Sequence, residues 1–490
     1  MSNRLKFLAR ALATVGIAQL LTANAGAQTM EWVTSSATEN WKVQHKIPTG
    51  KAGKTADATI TNQKLQVIDG WGGCFNELGW TSLNVLPAAD QQAIFKELFS
   101  PGAGANFNIC RMPIGANDFA RKWYSYDETD GDFGLTNFSI ANDEETLIPF
   151  IKSALKQNPK LKLWASPWSP PVWMKVNKQY AGAPFPKTGV KAWQDLRFDF
   201  DSLDNGVKPG QEGKEGTNMF IQDEQHFKSY ANYFAEFIKA YRKQNINIGM
   251  VMPQNEFNSP QTFPSCTWTA DGLSKFVSYL GPEMNKLGVN IFMGTVERGN
   301  PKLADTVISS AASGKYIKGA GFQWAGKDAI ATIHQKYPAL KLYQSEQECG
   351  NGLNDWKYCT YTWSLMKHYL SNGANAYMYW NISLQNGGKS TWGWFQNSLI
   401  TVDTTAKTYK YNYEYYLMKH FSHYIQPGAY RLQTDGSFGN LLAFQNPDKS
   451  MVIVAYNEGT AAKKISINAG GKTWEPELAP DSFHTFYIKN

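Results

Sequence analysis

From residue 64 onward the chain repeats one pattern: a short apolar or β-branched run, a polar or aromatic cluster, then an amphipathic stretch. The runs are Leu65–Ile68, Phe107–Cys110, Leu161–Trp164, Ile248–Val251, Ile291–Met293, Gly319–Phe322, Leu340–Tyr343 and Ala376–Tyr379. Short apolar runs alternating with helical periods specify βαβ units on a parallel sheet. Eight such units fit an α/β fold, a closed (β/α)8 TIM barrel with insertions. Phe227, Tyr230, Phe234, Phe237, Ile238 and Tyr241 form one stripe at helical spacing, and Asp271–Leu287 and Asn354–Leu370 behave similarly. Asn142 followed by Glu145 ahead of Leu147 reads as a capping box. Residues 180–220 are rich in Gly, Pro, Asp and Asn, lack periodicity, and form the largest insertion.

Beyond about residue 421 the texture changes. Leu441–Phe444, Met451–Tyr456, Lys464–Ile467 and Ser482–Phe486 are short strands between turn signals such as Asn446-Pro447-Asp448. That pattern predicts a small antiparallel β-sandwich, to which the segment before the barrel can add a strand. The domain reading is a leader at 1–27, an N-terminal segment at 28–64, the barrel at 65–420 and a sandwich side domain at 421–490.

The leader carries Arg4, Lys6 and Arg10, an apolar run from Ala11 to Leu21, and Ala25-Gly26-Ala27, the marks of a secretory signal peptide. The formal charge of +7 falls to +4 without it, because all three leader charges are basic. With no basic run, the chain offers nothing to a nucleic acid. No later window is apolar for long enough to span a membrane. The expectation is an exported protein, periplasmic or secreted, and monomeric.

Five cysteines, at 74, 110, 266, 349 and 359, are too few and too dispersed for a disulfide scaffold. Free buried thiols are expected, with a Cys349–Cys359 pair as the alternative. No CxxC or HExxH spacing occurs, so neither a metal site nor a cofactor is expected.

Barrel enzymes draw catalytic residues from the C-terminal ends of strands. The fourth run ends in Pro253-Gln254-Asn255-Glu256-Phe257 and the seventh in Gln344-Ser345-Glu346-Gln347-Glu348. Two carboxylates on opposite strands face each other across the barrel mouth. Retaining glycoside hydrolysis needs that arrangement: one acid protonates the leaving oxygen while the other carboxylate, about 5–5.5 Å away, attacks the anomeric carbon. Glu348 lies on the same side as Glu346 if the strand continues, and is the rival nucleophile.

These residues sit in a wider set of motifs: Gly70-Trp71-Gly72-Gly73-Cys74, Arg111-Met112-Pro113-Ile114, the block Trp164–Lys175, Asn255-Glu256, Ser345-Glu346 and Trp380-Asn381. Through them, residues 65–490 resemble glycoside hydrolase family 30, which contains glucosylceramidases, endo-β-1,6-glucanases and glucuronoxylanases. The resemblance implies a barrel with a side β-sandwich built from both chain ends. It implies Glu256 as general acid/base, Glu346 as nucleophile, Asn255 on the sugar 2-OH, and Arg111 beneath the nucleophile. Asp118 and Trp168 would hold the sugar in the cleaved-bond subsite, with Trp380 as its floor.

Where the glucosylceramidase branch has a His-Trp-Tyr cluster after the sixth strand, this chain has Gln323-Trp324-Ala325, so Gln323 and Trp324 join the candidate substrate contacts. The stretches Met252–Ser259, Phe263–Trp268 and Gly321–Lys327 are similar to the β-1,6-glucanase branch. The expected substrate is therefore β-1,6-linked glucan, a poly- or oligosaccharide cut internally through a covalent glycosyl-enzyme. A glucosylceramidase-type β-glucosidase and a non-catalytic carbohydrate-binding protein are the alternatives. Of 17 Trp, those at 71, 80, 168, 173, 324, 380, 392 and 394 are expected on the substrate face, and Trp32 and Trp474 in packing.

Overall fold

The computed structural model describes residues 29–45, 49–50, 56–186, 197–200 and 203–489. The proposed signal peptide lies outside them. Eight parallel strands close into a barrel: Gly70–Cys74, Ile109–Ile114, Lys162–Pro167, Met250–Val251, Asn290–Val296, Ile317–Gln323, Lys341–Glu346 and Ala374–Asn381. Each pairs with its neighbours in chain order, and the sixth, seventh and eighth strands lead back to the first.

Seven of the eight apolar runs coincide with barrel strands. The first does not. Leu65–Val67 ends the strand Ala58–Val67, which belongs to the side sheet, and the first barrel strand is the glycine-rich Gly70–Cys74. An apolar-run criterion cannot find that strand, because three of its five residues have no side chain. Close packing explains the composition: a Cβ on Gly72 would stand 1.8 Å from the Ile109 carbonyl oxygen.

The outer helices follow the sequence stripes. Glu224–Lys243 buries Phe227, Tyr230, Phe234, Phe237, Ile238 and Tyr241, and the side chain of Asp223 caps its start by accepting from His226 N–H. Thr269 caps Ala270–Leu287 in the same way, and Gly288 at φ +67° ends it. The capping box at Asn142 and Glu145 does not form. Both side chains bind Arg121, and Asn142 also donates to the buried Glu77 carboxylate at 3.0 Å. Satisfying that buried carboxylate wins over capping a helix that already starts at Leu147.

The side domain is built on a nine-stranded sheet. Thr29–Ser36 pairs antiparallel with Ser482–Lys489 along all eight residues, so the first and last described strands lie side by side in it. Strand alternation divides its faces. Leu441, Ala443, Ile453, Ala455, Phe486 and Ile488 enter the domain's own core with Trp32 and Trp474. Leu442, Phe444, Val452, Val454 and Phe483 turn the other way and join the core shared with the barrel. A buried histidine, His420, fastens the joint by bonding Thr485 Oγ1 at 2.7 Å and Ser35 Oγ at 2.9 Å. All five cysteines are buried and unpaired.

Candidate active site

The C-terminal barrel mouth is organised around a guanidinium. Arg111, on the second strand, is fully buried. Its Nη1 donates to Glu346 at 2.7 Å and to the Ser345 carbonyl at 3.2 Å. Its Nη2 donates to Asn255 Oδ1 at 2.7 Å and to Ser166 Oγ at 2.9 Å. Strands two, three and seven and the segment after strand four thus meet on one planar fork, the recognition geometry that Lys cannot supply. The rings of Trp164, Trp168 and Trp380 surround the cation, the nearest centroid being 4.4 Å away.

Glu346 ends the seventh strand, and the Trp324 indole N–H donates to its other oxygen at 3.3 Å. Glu256 forms no ion pair among the described residues. Its Oε1 accepts from Gln323 at 3.1 Å and its Oε2 from Gln261 at 3.2 Å. Gln323 also donates to Asn255 Oδ1, and its own carbonyl accepts from Ser345, so it links the two carboxylates' surroundings. Asn255 spends its carbonyl oxygen on Arg111, Gln323 and Thr295, while no hydrogen bond among the described residues uses its amide NH2.

Glu256 sits at φ +45° and Trp324 at φ +49°. Non-glycine residues in the left-handed region cost roughly 1–3 kcal/mol and gather at functional sites, where surrounding bonds hold them. For Glu256 the holding bond is its own N–H to Thr295 Oγ1 at 2.8 Å.

Burial pushes Glu256 well above the ordinary carboxylate range, and the charges of Glu297 and Glu346 push it the same way. Burial also raises Glu346, but Arg111 and Trp324 oppose the rise. Asp118 is raised by burial and then by Glu346. A side-chain hydrogen bond from Gln396 works against that rise, while the indole N–H groups of Trp380 and Trp394 have no partner among the described residues. Buried polar groups are almost always satisfied, so these two N–H groups are free to donate to an acceptor that a ligand brings. Trp168 and Trp380 stack at 5.4 Å between centroids.

All nine sequence-selected residues gather here. Glu348 does not: its oxygens accept from Lys327 at 2.8 Å and from Tyr361 at 2.7 Å, outside the mouth. Trp324, Trp392 and Trp394 do lie with Trp168 and Trp380 in the barrel-interior cluster. Three tryptophans expected on this face pack elsewhere. Trp71 donates to Ile425 O and meets Phe421 and Phe444, Trp80 meets Phe150, and Trp173 meets Phe133. Trp71 leaves its strand on the outer side, Trp80 belongs to the short helix Glu77–Leu83, and Trp173 belongs to the turn Val172–Met174, where its indole donates to Asp127 O. Gln261 and Glu297 were not singled out from sequence. Glu297 directly follows the fifth strand, so the strand-end rule that found Glu256 also points to it.

Replacing Arg111 with Met leaves the buried Glu346 and Asn255 without their donor. Breaking a buried pair from one side costs about 3–5 kcal/mol, and the urea unfolding midpoint should fall accordingly. A midpoint within error of the parent's would show that Arg111 does not hold the mouth together.

Comparison with known proteins follows the same lines. The model of the glycosyl hydrolase family 30 TIM-barrel domain matches residues 68–190 and 207–425, and that of the family's beta sandwich domain matches 428–486. Putative glucosylceramidase 1 of Caenorhabditis elegans is 29% identical over 442 residues, 84% of this chain and 77% of its own length. The lysosomal acid glucosylceramidase of Mus musculus is 26% identical, covering 86% and 81%. An endo-1,6-beta-D-glucanase of Neurospora crassa is 25% identical, covering 89% and 88%. Among solved structures, SrfJ from Salmonella typhimurium superposes with a TM-score of 0.81 at 24% identity, over 94% of this chain and all of that one. The endo-beta1,6-glucanase BT3312 gives 0.76 at 23%, over 94% and 98%. With both domains matched in order along nearly all the described chain, the protein belongs to glycoside hydrolase family 30.

Proposed function

We propose that the protein hydrolyses β-glucosides with retention of configuration, Glu346 attacking the anomeric carbon and Glu256 protonating the leaving oxygen. The observation that carries this reading is the asymmetry of the two carboxylates: Glu346 is bonded to the buried Arg111, and Glu256 only to neutral amides. The shared proton therefore rests on Glu256, ready for transfer, while Glu346 stays ionised to form the covalent glycosyl-enzyme. Glu256, deprotonated by the first step, then takes a proton from the water that releases the sugar. Asn255's free amide meets the 2-OH, Asp118 the outer hydroxyls, and the Trp168–Trp380 pair the ring. We also propose export through residues 1–27, consistent with a polymeric or extracytoplasmic substrate.

Two leaving groups are in play. The sequence motifs point to β-1,6-linked glucan. Overall similarity leans to the other reading: relatives named glucosylceramidases reach 29% identity, and those named endo-1,6-glucanases 25–26%. Hydrolysis of pustulan set against a glucosylceramide in mixed micelles separates them, the preferred substrate naming the branch.

For the chemistry itself, Glu346→Gln should lower kcat by about 10³ or more. Glu256→Gln should cost about 10²–10⁴, much less on aryl glucosides whose phenolate leaves unprotonated. The first-formed sugar should be the β anomer by NMR. An α anomer, or a Glu346→Gln variant near full activity, overturns the assignment.

The pH dependence has a defined origin. After burial, the charge on Glu297 is the largest influence holding Glu256 protonated, and Glu297 is itself pushed up to about 7 by burial. The alkaline limb of kcat/KM reports loss of the Glu256 proton. Glu297→Gln removes a negative charge, lowers the Glu256 pKa, and so should move that limb to lower pH while leaving the acid limb in place. An unmoved alkaline limb rules out Glu297 as its source.

A further inference from the structure

Beside the catalytic mouth lies a second cavity of about 620 Å3, within the range of small-molecule sites. Its walls come from three places: Trp324 after the sixth strand, the segment Glu348–Ser364 after the seventh, and Tyr456 and Glu458 of the side domain. Trp324 is common to both sites, since the same indole donates to Glu346. The indole of Trp324 is thus a wall shared by the two sites.

The lining has a definite chemistry. Four rings, Trp324, Tyr358, Tyr361 and Tyr456, supply flat apolar faces with polar tips. Between them stand the carboxylates of Glu348, Asp355 and Glu458 and the hydroxyls of Thr360 and Ser364. Three lining carboxylates, set against Lys357 and the Lys327 bonded to Glu348, disfavour an anionic ligand such as a uronate or a phospholipid head group. The absence of Leu, Ile, Val, Met and Phe from the described lining disfavours an acyl chain. Rings for C–H faces and acceptors for hydroxyls suit a neutral sugar.

The geometry is also held in place. Lys327 and the Tyr361 hydroxyl each bond one oxygen of Glu348, and Asp355 accepts from Tyr358 N–H at the start of the helix Trp356–Ser371. Glu348, which the sequence offers as a rival nucleophile, thereby fixes the wall that carries Tyr361.

We propose that this groove binds sugar units of a neutral β-glucan chain extending beyond the residue being cleaved. The inference rests on the glycosidase reading of the adjoining site and gives that site an extended carbohydrate substrate. It makes a polysaccharide a better fit than a glycolipid, against the lean of overall similarity.

The test is calorimetric titration of Glu346→Gln protein with a β-1,6-linked glucohexaose and with the corresponding disaccharide. In that background, Tyr361→Ala removes a partly exposed ring and Ser364→Trp fills the groove from an exposed position. Each should weaken hexasaccharide binding about tenfold and leave disaccharide binding unchanged. Equal loss for both sugars, no loss for either, or no hexasaccharide binding by the parent overturns the groove. Hydrolysis of an aryl β-glucoside by the otherwise unaltered chain reads the catalytic assignment separately. Failure there removes the glycosidase reading, whereas the titration alone decides the groove.

Discussion

One buried cation carries the arrangement of the mouth. A guanidinium fully removed from water is tolerable only when its donors are spent, and Arg111 spends them on Ser166, Ser345, Glu346 and Asn255. The acceptors come from three different strand ends, so the bonds that stabilise the charge also fix where those ends stand relative to one another. The three indoles around it exclude water and supply ring faces in place of hydration. Positioning of Glu346 and of Asn255 is thus one event with the packing of the barrel interior.

The sequence made the periodic parts legible and the close-packed parts opaque. Seven strands were visible because apolar residues fill them, while Gly70–Cys74 was hidden because contact there is made by backbone. The aromatic stripe of Glu224–Lys243 was visible because a helix repeats its face every three to four residues. Trp71, Trp80 and Trp173 misled for the opposite reason: nearness to a strand end does not say which way a side chain turns. Glu256 and Glu346 were legible as acids at strand ends, whereas Gln261 reaches Glu256 only through a loop whose path no periodicity encodes.

The side sheet is tied to the barrel by the same alternation that builds it. Every second residue of Leu441–Gln445 and Met451–Asn457 belongs to the barrel's core, so the sheet cannot slip by one residue without exchanging the two cores. That constraint places Tyr456 and Glu458 at the end of their strand beside Trp324 and the helix Trp356–Ser371. A domain joined by a flexible linker could not contribute a wall to a cavity at the catalytic mouth; one locked by register can.

The division of labour between the carboxylates then follows from contacts rather than from burial. Both Glu256 and Glu346 are nearly inaccessible, at 4% and 6% exposure, so desolvation raises both and cannot choose between them. What differs is the neighbour. Arg111 favours the ionised form of Glu346, and the charge so retained disfavours ionisation of Glu256, which Glu297 disfavours further. One proton shared by two such acids belongs to the pair until a fixed cation breaks the symmetry. Here the cation is Arg111, and with Glu297 acting on Glu256 it creates the asymmetry that the proposed acid and the proposed nucleophile require.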